Sequence, residues 1–448
     1  MSGAGTDNPR ATYYFFNLGC PKNLVDAERV ASRLEEAGWR MASSPDGARL
    51  LVVTTCAFIT RAEEESIEEI LRVASHKQPW QHLAVLGCLV SREGERLPEL
   101  FPEVDTFLSV EGMEHLAEMV ELPVNGRPRA PLHAANRMRR RLFTPPHVAY
   151  LKIAEGCSNR CCYCTIPGIR GPLTSRSPDE IIEEAVWLVG RGVREIVLVA
   201  QDTAAWGADS GDGRSLWGLM KSLSAAVAPV WIRLMYLHPA HIDLDRLVSL
   251  LEGDVICRYV DIPIQHVSNG VLRGMGRRYG KTDLERLFGA LRSRVDHLVI
   301  RTSVMVGFPG ESVADLEDLA EFLETYEFDH VGVFTFSPER GTPAARLKGR
   351  VAAAEAVRRR NEILEIQMDV SHRLLESRVG GVETILVDEL IPPADAPRSG
   401  IWGVGRFYGQ AYEVDGVTFL GGEPRRPGAL VPGRIEHAEA YDLFARVI

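Results

Sequence analysis

A stretch of nine residues, Gly-Cys-Ser-Asn-Arg-Cys-Cys-Tyr-Cys at positions 156–164, constrains this chain more than any other. Its cysteines Cys157, Cys161 and Cys164 follow the spacing C-x3-C-x2-C, so three thiolates can wrap one metal centre from a single loop. Soft thiolates select zinc, copper(I) or iron–sulfur clusters. A structural zinc ion takes four protein ligands, usually from two pairs that lie far apart in the sequence. A [4Fe–4S] cluster held by three cysteines leaves one iron open to a small molecule, and the spacing favours this interpretation over a zinc loop.

The aromatic residue Tyr163 stands immediately before the last of these cysteines. With it, the loop resembles that of the radical S-adenosylmethionine (SAM) enzymes, in which the open iron chelates the amino and carboxylate groups of SAM. The resemblance implies that Cys157, Cys161 and Cys164 hold the catalytic cluster. The additional thiol of Cys162 breaks the ligand spacing, so we expect it to lie outside the ligand set.

The composition of the chain is that of an ordinary globular protein, with 45% hydrophobic and 25% charged residues. No apolar run reaches the length of a membrane span, and residues 1–10 lack the charged and apolar regions of a signal peptide. We therefore expect a cytoplasmic protein with no membrane partner, in which clustered cysteines indicate a metal site or catalysis rather than disulfides. The net charge of −10 argues weakly against a general nucleic-acid binder.

Residues 11–122 alternate predicted strands with predicted helices, and a cysteine follows each strand. The strands are predicted at 12–17, 50–54 and 82–87, and the cysteines are Cys20, Cys56 and Cys88. This alternation predicts an α/β domain with an open parallel sheet. Loops that leave the carboxyl ends of neighbouring parallel strands converge in one crevice, so three cysteines at that edge can hold a second cluster. The alternative is that each cysteine is a small buried hydrophobic residue.

The residues around these cysteines resemble the N-terminal domain of the methylthiotransferases. The resemblance lies in Gly-Cys-Pro-Lys-Asn-Leu-Val-Asp at 19–26, Thr-Cys-Ala-Phe-Ile at 55–59 and Gly-Cys-Leu at 87–89. In that family three such cysteines ligate an auxiliary [4Fe–4S] cluster, which makes Cys20, Cys56 and Cys88 metal ligands by resemblance. The Cys-Pro-Lys-Asn form resembles the branch that modifies a ribosomal protein. The tRNA-modifying branch more typically has Cys-Gln-Met-Asn.

A basic, proline-rich segment at 123–142 follows this domain and contains no acidic residue. We expect a linker between domains. Its arginines are either the surface of a solvated connector or a contact strip for an anionic partner.

Residues 143–376 form the second predicted α/β domain, with about six strand–helix units, which favours a partial (β/α) barrel over a closed eightfold one. Loops after such strands carry the chemistry. The polar residues near strand ends that are candidates for binding SAM are Gln201, Arg233, Gln265 and Ser303. The string Gly-Phe-Pro-Gly-Glu at 307–311 resembles the radical-SAM segment that cradles the cofactor, which adds Gly307 and Gly310. For every polar candidate, a purely structural role is the alternative.

Residues 377–448 change to short strands, predicted at 382–387, 400–404, 412–419 and 431–435, which indicate a small β-barrel. The segment resembles a TRAM domain, an OB-like barrel often used on RNA, in Gly-Arg at 405–406, Glu-Val-Asp-Gly at 413–416 and Ala-Tyr-Asp-Leu at 440–443. From Glu376 to Ile448 there are seven Arg, no Lys and eleven Asp or Glu, a net charge of −4. Because binding to RNA depends on neutralising phosphates, an acidic barrel suits a basic protein better.

The segments occur in the order of the methylthiotransferases, and the resemblance to the ribosomal-protein aspartate branch covers nearly the whole chain. That branch places a methylthio group on the β-carbon of one aspartate of small-subunit ribosomal protein S-twelve. The resemblance implies SAM and two [4Fe–4S] clusters as cofactors. It implies as partners an electron donor, a sulfur donor and the ribosomal protein, either free or within the ribosomal subunit.

Two alternatives stay open at this point. One is the same chemistry on an adenosine in tRNA. The other is a non-catalytic iron–sulfur or zinc protein that binds RNA through its C-terminal barrel.

Overall fold

The computed structural model of the protein describes residues 11–120, 139–253 and 255–448. The described chain divides into two compact units. The first contains the residues up to 143 together with 156–158 and 164–172, and the second contains 144–155, 159–163 and 173–448. Most of the linker predicted at 123–142 lies outside the described residues. Within the described ranges, no helix is long and apolar enough to cross a membrane.

The first unit is built on a five-stranded, fully parallel sheet of order β2-β1-β3-β4-β5. The central strand β3 is buried at all six positions, and its alternate residues enter two different cores. Leu50 and Val52 pack into one core, and Leu51 and Val53 pack into the other, as expected for a sheet covered on both faces. The predicted open parallel sheet is therefore confirmed. The elements are β1 (Thr12–Asn17), α1 (Pro21–Glu36), β2 (Arg40–Met41), β3 (Leu50–Thr55), α2 (Thr60–His76), β4 (His82–Gly87), α3 (Cys88–Glu93), α4 (Leu97–Leu100), β5 (Thr106–Leu108) and α5 (Leu116–Met119).

The second unit contains a six-stranded parallel sheet of order β13-β12-β11-β10-β9-β6. The sheet is open, which confirms a partial barrel. Helix α6, which interrupts this series, groups with the first unit. The elements are β6 (Val148–Lys152), β7 (Ala154–Glu155), α6 (Ile166–Arg170), β8 (Thr174–Ser175), α7 (Pro178–Gly190), β9 (Glu195–Val199), α8 (Leu216–Val227), β10 (Trp231–Leu234), α9 (Leu244–Leu251), β11 (Ile256–Asp261), α10 (Asn269–Gly274), α11 (Lys281–Arg294), β12 (Val299–Val306), α12 (Val313–Thr325), β13 (His330–Thr335) and α13 (Ala353–Glu376).

A closed five-stranded barrel of order β14-β15-β16-β18-β17 completes the second unit and confirms the predicted C-terminal barrel. Its strands are β14 (Val382–Leu390), β15 (Ile401–Phe407), β16 (Thr418–Gly422), β17 (Leu430–Ala438) and β18 (Leu443–Val447). The prediction of a strand at 412–419 is wrong for most of that range, because β16 begins only at Thr418. Residues 411–415 form a turn instead, in which Asp415 accepts a hydrogen bond from the Ala411 amide at 2.9 Å. Glu413 has a left-handed φ of 56° in this turn, which no strand accommodates.

Buried charges join the barrel to the amino-terminal end of the second sheet. Glu195, the first residue of β9, accepts from Arg406 of the barrel at 2.6 Å and from Arg233 of β10 at 2.7 Å. Arg406 also pairs with Asp388 at 2.7 Å, and Asp388 contacts His147 at 2.9 Å. Burial alone raises the pKa of Glu195, but the two arginines outweigh it and hold the pKa below its ordinary value. The barrel is therefore fixed to the sheet by ion pairs that water does not reach.

Candidate active site

Cys20, Cys56 and Cys88 lie just beyond the carboxyl ends of β1, β3 and β4, three neighbouring strands of the first sheet. Cys20 precedes the first residue of α1, and Cys88 is the first residue of α3. Gly19 takes a left-handed φ of 97°, and a Cβ at this position would lie 3.2 Å from the Cβ of Cys56. The first two loops therefore approach each other so closely that a residue without a side chain is needed between them.

The three thiols influence one another electrostatically. Burial raises the pKa of Cys56, and the neighbouring Cys20 raises it further. Burial also raises the pKa of Cys88 to about 11; Arg170 opposes the increase, and Cys20 and Cys56 add to it. All three are free cysteines. Because thiolate is the form that binds metal, a partly buried group of mutually repelling thiolates is stable only with a strongly cationic centre among them. The residues fit an iron–sulfur cluster.

Asn23, in the first turn of α1, connects all three cysteine loops. Its Nδ2 donates to the carbonyl oxygens of Leu18 at 3.3 Å and of Thr55 at 2.9 Å. The thiol of Cys88 donates to its Oδ1 at 3.5 Å. Asn23 is the last residue of the Cys-Pro-Lys-Asn string at 20–23. The string was recognised in the sequence, but the role of Asn23 between the loops was not predicted.

The loop with Cys157, Cys161 and Cys164 runs from β7 to α6. In the first unit, the Cys157 amide donates to the carbonyl oxygen of Gly171 at 3.1 Å. In the second unit, Cys162 donates twice, from its amide to Met275 and from its thiol to Gly274, each at 2.9 Å. The Cys162 thiol therefore has a hydrogen-bonding role within the protein.

Tyr163, the aromatic residue of the cysteine loop, is held by a buried arginine. Arg277 donates to the Tyr163 hydroxyl at 2.6 Å, and its guanidinium lies 5.9 Å from the centre of that ring and 5.8 Å from the centre of the Tyr279 ring. Burial raises the pKa of Tyr163 well above its usual value, so the hydroxyl stays protonated. The hydrogen bond between Arg277 and Tyr163 places a cation beside the loop of Cys157, Cys161 and Cys164. The spacing of residues in the sequence did not predict this contact.

Asp202 fixes another residue of the cysteine loop. Its carboxylate accepts from Asn159 at 2.6 Å and from His241 at 2.7 Å. Three potential metal-ligand atoms, one each from Asp202, His238 and His241, lie within 4.8 Å of one another. Burial and then Arg277 lower the pKa of His238 to about 3, so its ring is neutral. The only sequence signal was the position of Asp202 directly after Gln201, a SAM candidate near a predicted strand end.

Two of the SAM candidates have features of a ligand site. Gln201 donates to Glu155 at 2.9 Å, while its Oε1 is buried and has no hydrogen-bond partner in the described part of the chain. Gln265 has a left-handed φ of 65°, held by hydrogen bonds from its amide to the Ser303 carbonyl at 2.9 Å and from the Met305 amide to its own carbonyl at 2.7 Å. Such strained residues cluster at functional sites. An orphaned buried acceptor fits the amino group of SAM.

Gly307 and Gly310 shape the turn after β12, with left-handed φ values of 76° and 88°. Glu311 closes the turn, because it accepts from the Phe308 amide at 3.2 Å and from Arg359 of α13 at 2.8 Å. A Cβ on Gly310 would meet no neighbouring atom within 4 Å, so open space faces this glycine. The turn therefore has both the backbone freedom and the room to lie against a ligand.

Arg233 differs from the other SAM candidates. Its side chain is fully buried, donates to Glu195 at 2.7 Å and to the Tyr408 carbonyl at 2.6 Å, and lies over the Tyr259 ring. These contacts give it a structural role between sheet and barrel. We therefore leave it out of the SAM site proposed below.

Comparison with known proteins assigns all three segments. Residues 12–109 match the family described as uncharacterized protein family UPF0004, residues 151–323 match the radical SAM superfamily, and residues 379–448 match the TRAM domain. Two solved structures of the radical S-adenosylmethionine methyltransferase TsrM from Kitasatospora setae share the fold. One has a TM-score of 0.53 at 14% identity over 84% of this chain and 78% of TsrM, and the other 0.52 at 15% identity over 75% and 77%.

Similar sequences extend over nearly the whole chain. The ribosomal protein uS12 methylthiotransferase RimO of Syntrophus aciditrophicus is 41% identical over 448 residues, 97% of this chain and 98% of that protein. The protein of the same name from Desulfosudis oleivorans is 42% identical over 440 residues, 95% of this chain and 98% of its own. At such identity and coverage, with the radical SAM and TRAM domains in the same chain, the protein belongs to the ribosomal protein uS12 methylthiotransferase family of radical SAM transferases.

Proposed function

We propose that this enzyme transfers a methylthio group to the β-carbon of one aspartate of ribosomal protein uS12, with SAM and two [4Fe–4S] clusters. Cys157, Cys161 and Cys164 would hold the radical SAM cluster, and Cys20, Cys56 and Cys88 the auxiliary cluster. The domain boundaries proposed are 11–122, 143–376 and 377–448, with the basic linker at 123–142. A cytoplasmic location is in keeping with a ribosomal substrate.

One observation carries the proposal: the chain has two separate sets of three cysteines, one spread over the loops after three neighbouring strands and the other within the single loop between β7 and α6. An unactivated C–H bond has no proton that an accessible base removes, so substitution there requires radical chemistry. When bound, the cluster at Cys157, Cys161 and Cys164 supplies an electron for cleavage of SAM, and the cluster at Cys20, Cys56 and Cys88 supplies an iron that presents sulfur.

The protein's own residues position these groups. Gln201 offers its unpartnered Oε1 to the SAM amino group, and Gln265, Ser303 and the turn from Gly307 to Gly310 would line the same cofactor. Asp202 and Arg277 hold the cysteine loop through Asn159 and Tyr163. Precise placement matters because a radical attacks whatever hydrogen it reaches first.

The acidic C-terminal barrel supports a protein substrate. Glu389 and Asp395 are exposed on it, and its net charge of −4 over residues 376–448 is unfavourable for phosphate. Ribosomal proteins are generally basic, so complementary potentials favour encounter with uS12. An electron donor and a sulfur donor complete the set of partners.

Mass spectrometry on paired reactions tests the proposal. Anaerobically reconstituted enzyme, SAM and reductant are incubated with uS12 in one reaction and with tRNA in another. We expect one methylthio group on an aspartate of uS12 and none on tRNA. Methylthiolated adenosine with unmodified uS12 would overturn the substrate assignment, and the absence of SAM cleavage in both would overturn the enzyme assignment.

A further inference from the structure

Arg170 is the last residue of α6, six positions after Cys164, and it lies within the first unit. Helix α6 is anchored there because Ile169 belongs to the same hydrophobic core as Leu89 and Val90 of α3. The Arg170 side chain is only 2% exposed. A guanidinium so deeply buried is costly unless it has partners or a charge to neutralise.

The guanidinium contacts two side chains on one face of α1. It donates to Asp26 at 3.1 Å and makes a short hydrogen bond to the Oδ1 of Asn23. Asn23 is the residue that connects the loops of Cys20, Cys56 and Cys88. Arg170 therefore fixes the amide whose Nδ2 joins the loops of Cys20 and Cys56 and whose Oδ1 faces Cys88.

The guanidinium also lies close to the cysteines. The Oδ1 of Asn23, to which Arg170 donates, also accepts from the Cys88 thiol at 3.5 Å, so only one side chain separates the cation from this set of cysteines. A buried cation at this position favours negative charge at this edge of the sheet. The carboxylate of Asp26 neutralises part of the positive charge of Arg170. Asp26 belongs to α1, however, and not to a loop that carries one of the cysteines.

We propose that Arg170 is a positioning residue of the auxiliary cluster, which orients Asn23 and favours the more negative, reduced state of the cluster. This rests on the proposed cluster at Cys20, Cys56 and Cys88. A cluster gains one negative charge on reduction, and a fixed cation at short range in a poorly solvated site stabilises that charge. Arg170 thus raises the reduction potential of the auxiliary cluster.

The experiment uses a parent protein in which Cys157, Cys161 and Cys164 are all Ala, so that only the auxiliary cluster is present. Arg170→Gln and Arg170→Lys are made in this parent, and Arg72→Gln serves as the matched control because Arg72 is an exposed arginine of the same unit, paired with Glu69. Iron content and an EPR-monitored redox titration are measured for each. We expect Arg170→Gln to lower the midpoint potential, Arg170→Lys to keep it close to the parent value, and Arg72→Gln to leave it unchanged.

Each outcome decides something. A parent without iron would refute the auxiliary cluster and, with it, the inference that rests on that cluster. An Arg170→Gln protein with full iron and the parent's potential would overturn the inference. If Arg170→Gln binds no iron, Arg170→Lys decides: retained iron and potential support the electrostatic role, whereas a folded Arg170→Lys protein without iron contradicts it.

Discussion

Gly156 determines the backbone path into the cysteine loop. Its φ is 69°, and a Cβ here would collide with the carbonyl oxygens of Gly171 and Pro172. Gly171 has a similar φ of 72°, but a Cβ on it would meet nothing within 4 Å. Replacing each of these glycines by Ala therefore distinguishes the effect of a steric collision from the effect of a left-handed φ alone.

We predict that Gly156→Ala loses most of the iron bound by this loop, because the chain must move to relieve the collision. Gly171→Ala should cost only the strain of a left-handed alanine, about 1 kcal/mol, and keep its iron. Iron analysis of both variants in a background with Cys20, Cys56 and Cys88 replaced by Ala checks this. Equal iron in the two variants would contradict the prediction.

Gln201 is the SAM candidate whose side chain makes the sharpest prediction. Its buried Oε1, which has no hydrogen-bond partner in the described part of the chain, predicts that Gln201→Leu weakens SAM binding by roughly ten- to a hundredfold, since one hydrogen bond to a charged group is worth roughly 1.5–3 kcal/mol. Gln78→Leu is the matched control, because Gln78 is exposed in the first unit. Equilibrium dialysis with SAM measures the change, and unaltered affinity in Gln201→Leu would remove Gln201 from the site.

At the scale of elements, the contact between β9 and β15 concentrates buried charge. Glu195 neutralises both Arg233 and Arg406, so Glu195→Gln leaves two buried guanidinium groups short of a counter-charge. We predict that Glu195→Gln lowers the free energy of unfolding of the second unit by roughly 3–5 kcal/mol at neutral pH. Urea unfolding of the apo protein measures this change. Arg446→Gln, at an exposed ion pair of the same barrel, should cost far less.

The sign of the pH dependence follows from the lowered pKa of Glu195. A carboxyl with a depressed pKa stabilises the fold above its ordinary value of 4.5, and that contribution is lost as the pH falls through the lower, folded-state pKa. Because Gln resembles protonated Glu, the stability difference between wild type and Glu195→Gln should shrink below pH 4.5. A difference that stays constant down to strongly acidic pH would contradict this.

The charge of the C-terminal barrel gives a prediction for binding. Replacing the exposed Glu389 and Asp395 by Lys should weaken the affinity of the full-length protein for uS12 several-fold at low salt. The same change at the exposed Glu64 and Glu65 of α2 should have little effect. The difference should disappear as salt rises, because exposed charges are screened. Calorimetry at two salt concentrations measures it, and equal losses in both variants would show that the barrel is not the binding surface.

Sequence reasoning was most successful where one physical signal dominates. The strands at 12–17 and 82–87 were predicted with their observed bounds, because short apolar runs ending at a turn have few alternatives. The spacing of Cys157, Cys161 and Cys164 likewise pointed to the radical SAM superfamily, which the match over residues 151–323 confirms, whereas the ligand role of each cysteine stays a prediction. The strand at 412–419 was wrong because the turn at Asp415 depends on a side-chain hydrogen bond that periodicity does not reveal.

Contacts between distant residues were beyond the reach of the sequence. Arg233 was a candidate for SAM, yet its guanidinium pairs with a carboxylate 38 positions away and a carbonyl 175 positions away. Asn23 and Asp202 were visible in the sequence, but their roles depend on loops that only the fold brings together. Local patterns identify which chemistry a chain holds, and tertiary contacts decide which residues support it.

At the scale of the whole molecule, two sets of three cysteines should give about eight irons per chain after anaerobic reconstitution. Replacing either set by Ala should leave about four. Cys257→Ala is the control, because Cys257 is a buried cysteine of β11 outside both sets. Stoichiometric zinc without iron–sulfur absorption in anaerobically purified protein would contradict both assignments.

The two cysteine sets are expected to have different roles, one in SAM cleavage and the other in sulfur transfer, and product analysis of one reaction distinguishes them. Wild type and the two triple-Ala variants are each incubated with SAM, reductant and uS12, and 5′-deoxyadenosine and methylthiolated uS12 are quantified together. We predict that the variant without Cys20, Cys56 and Cys88 releases 5′-deoxyadenosine but transfers no methylthio group. The variant without Cys157, Cys161 and Cys164 should form neither product. Full methylthio transfer by the first variant would show that its three cysteines are not the source of the transferred sulfur.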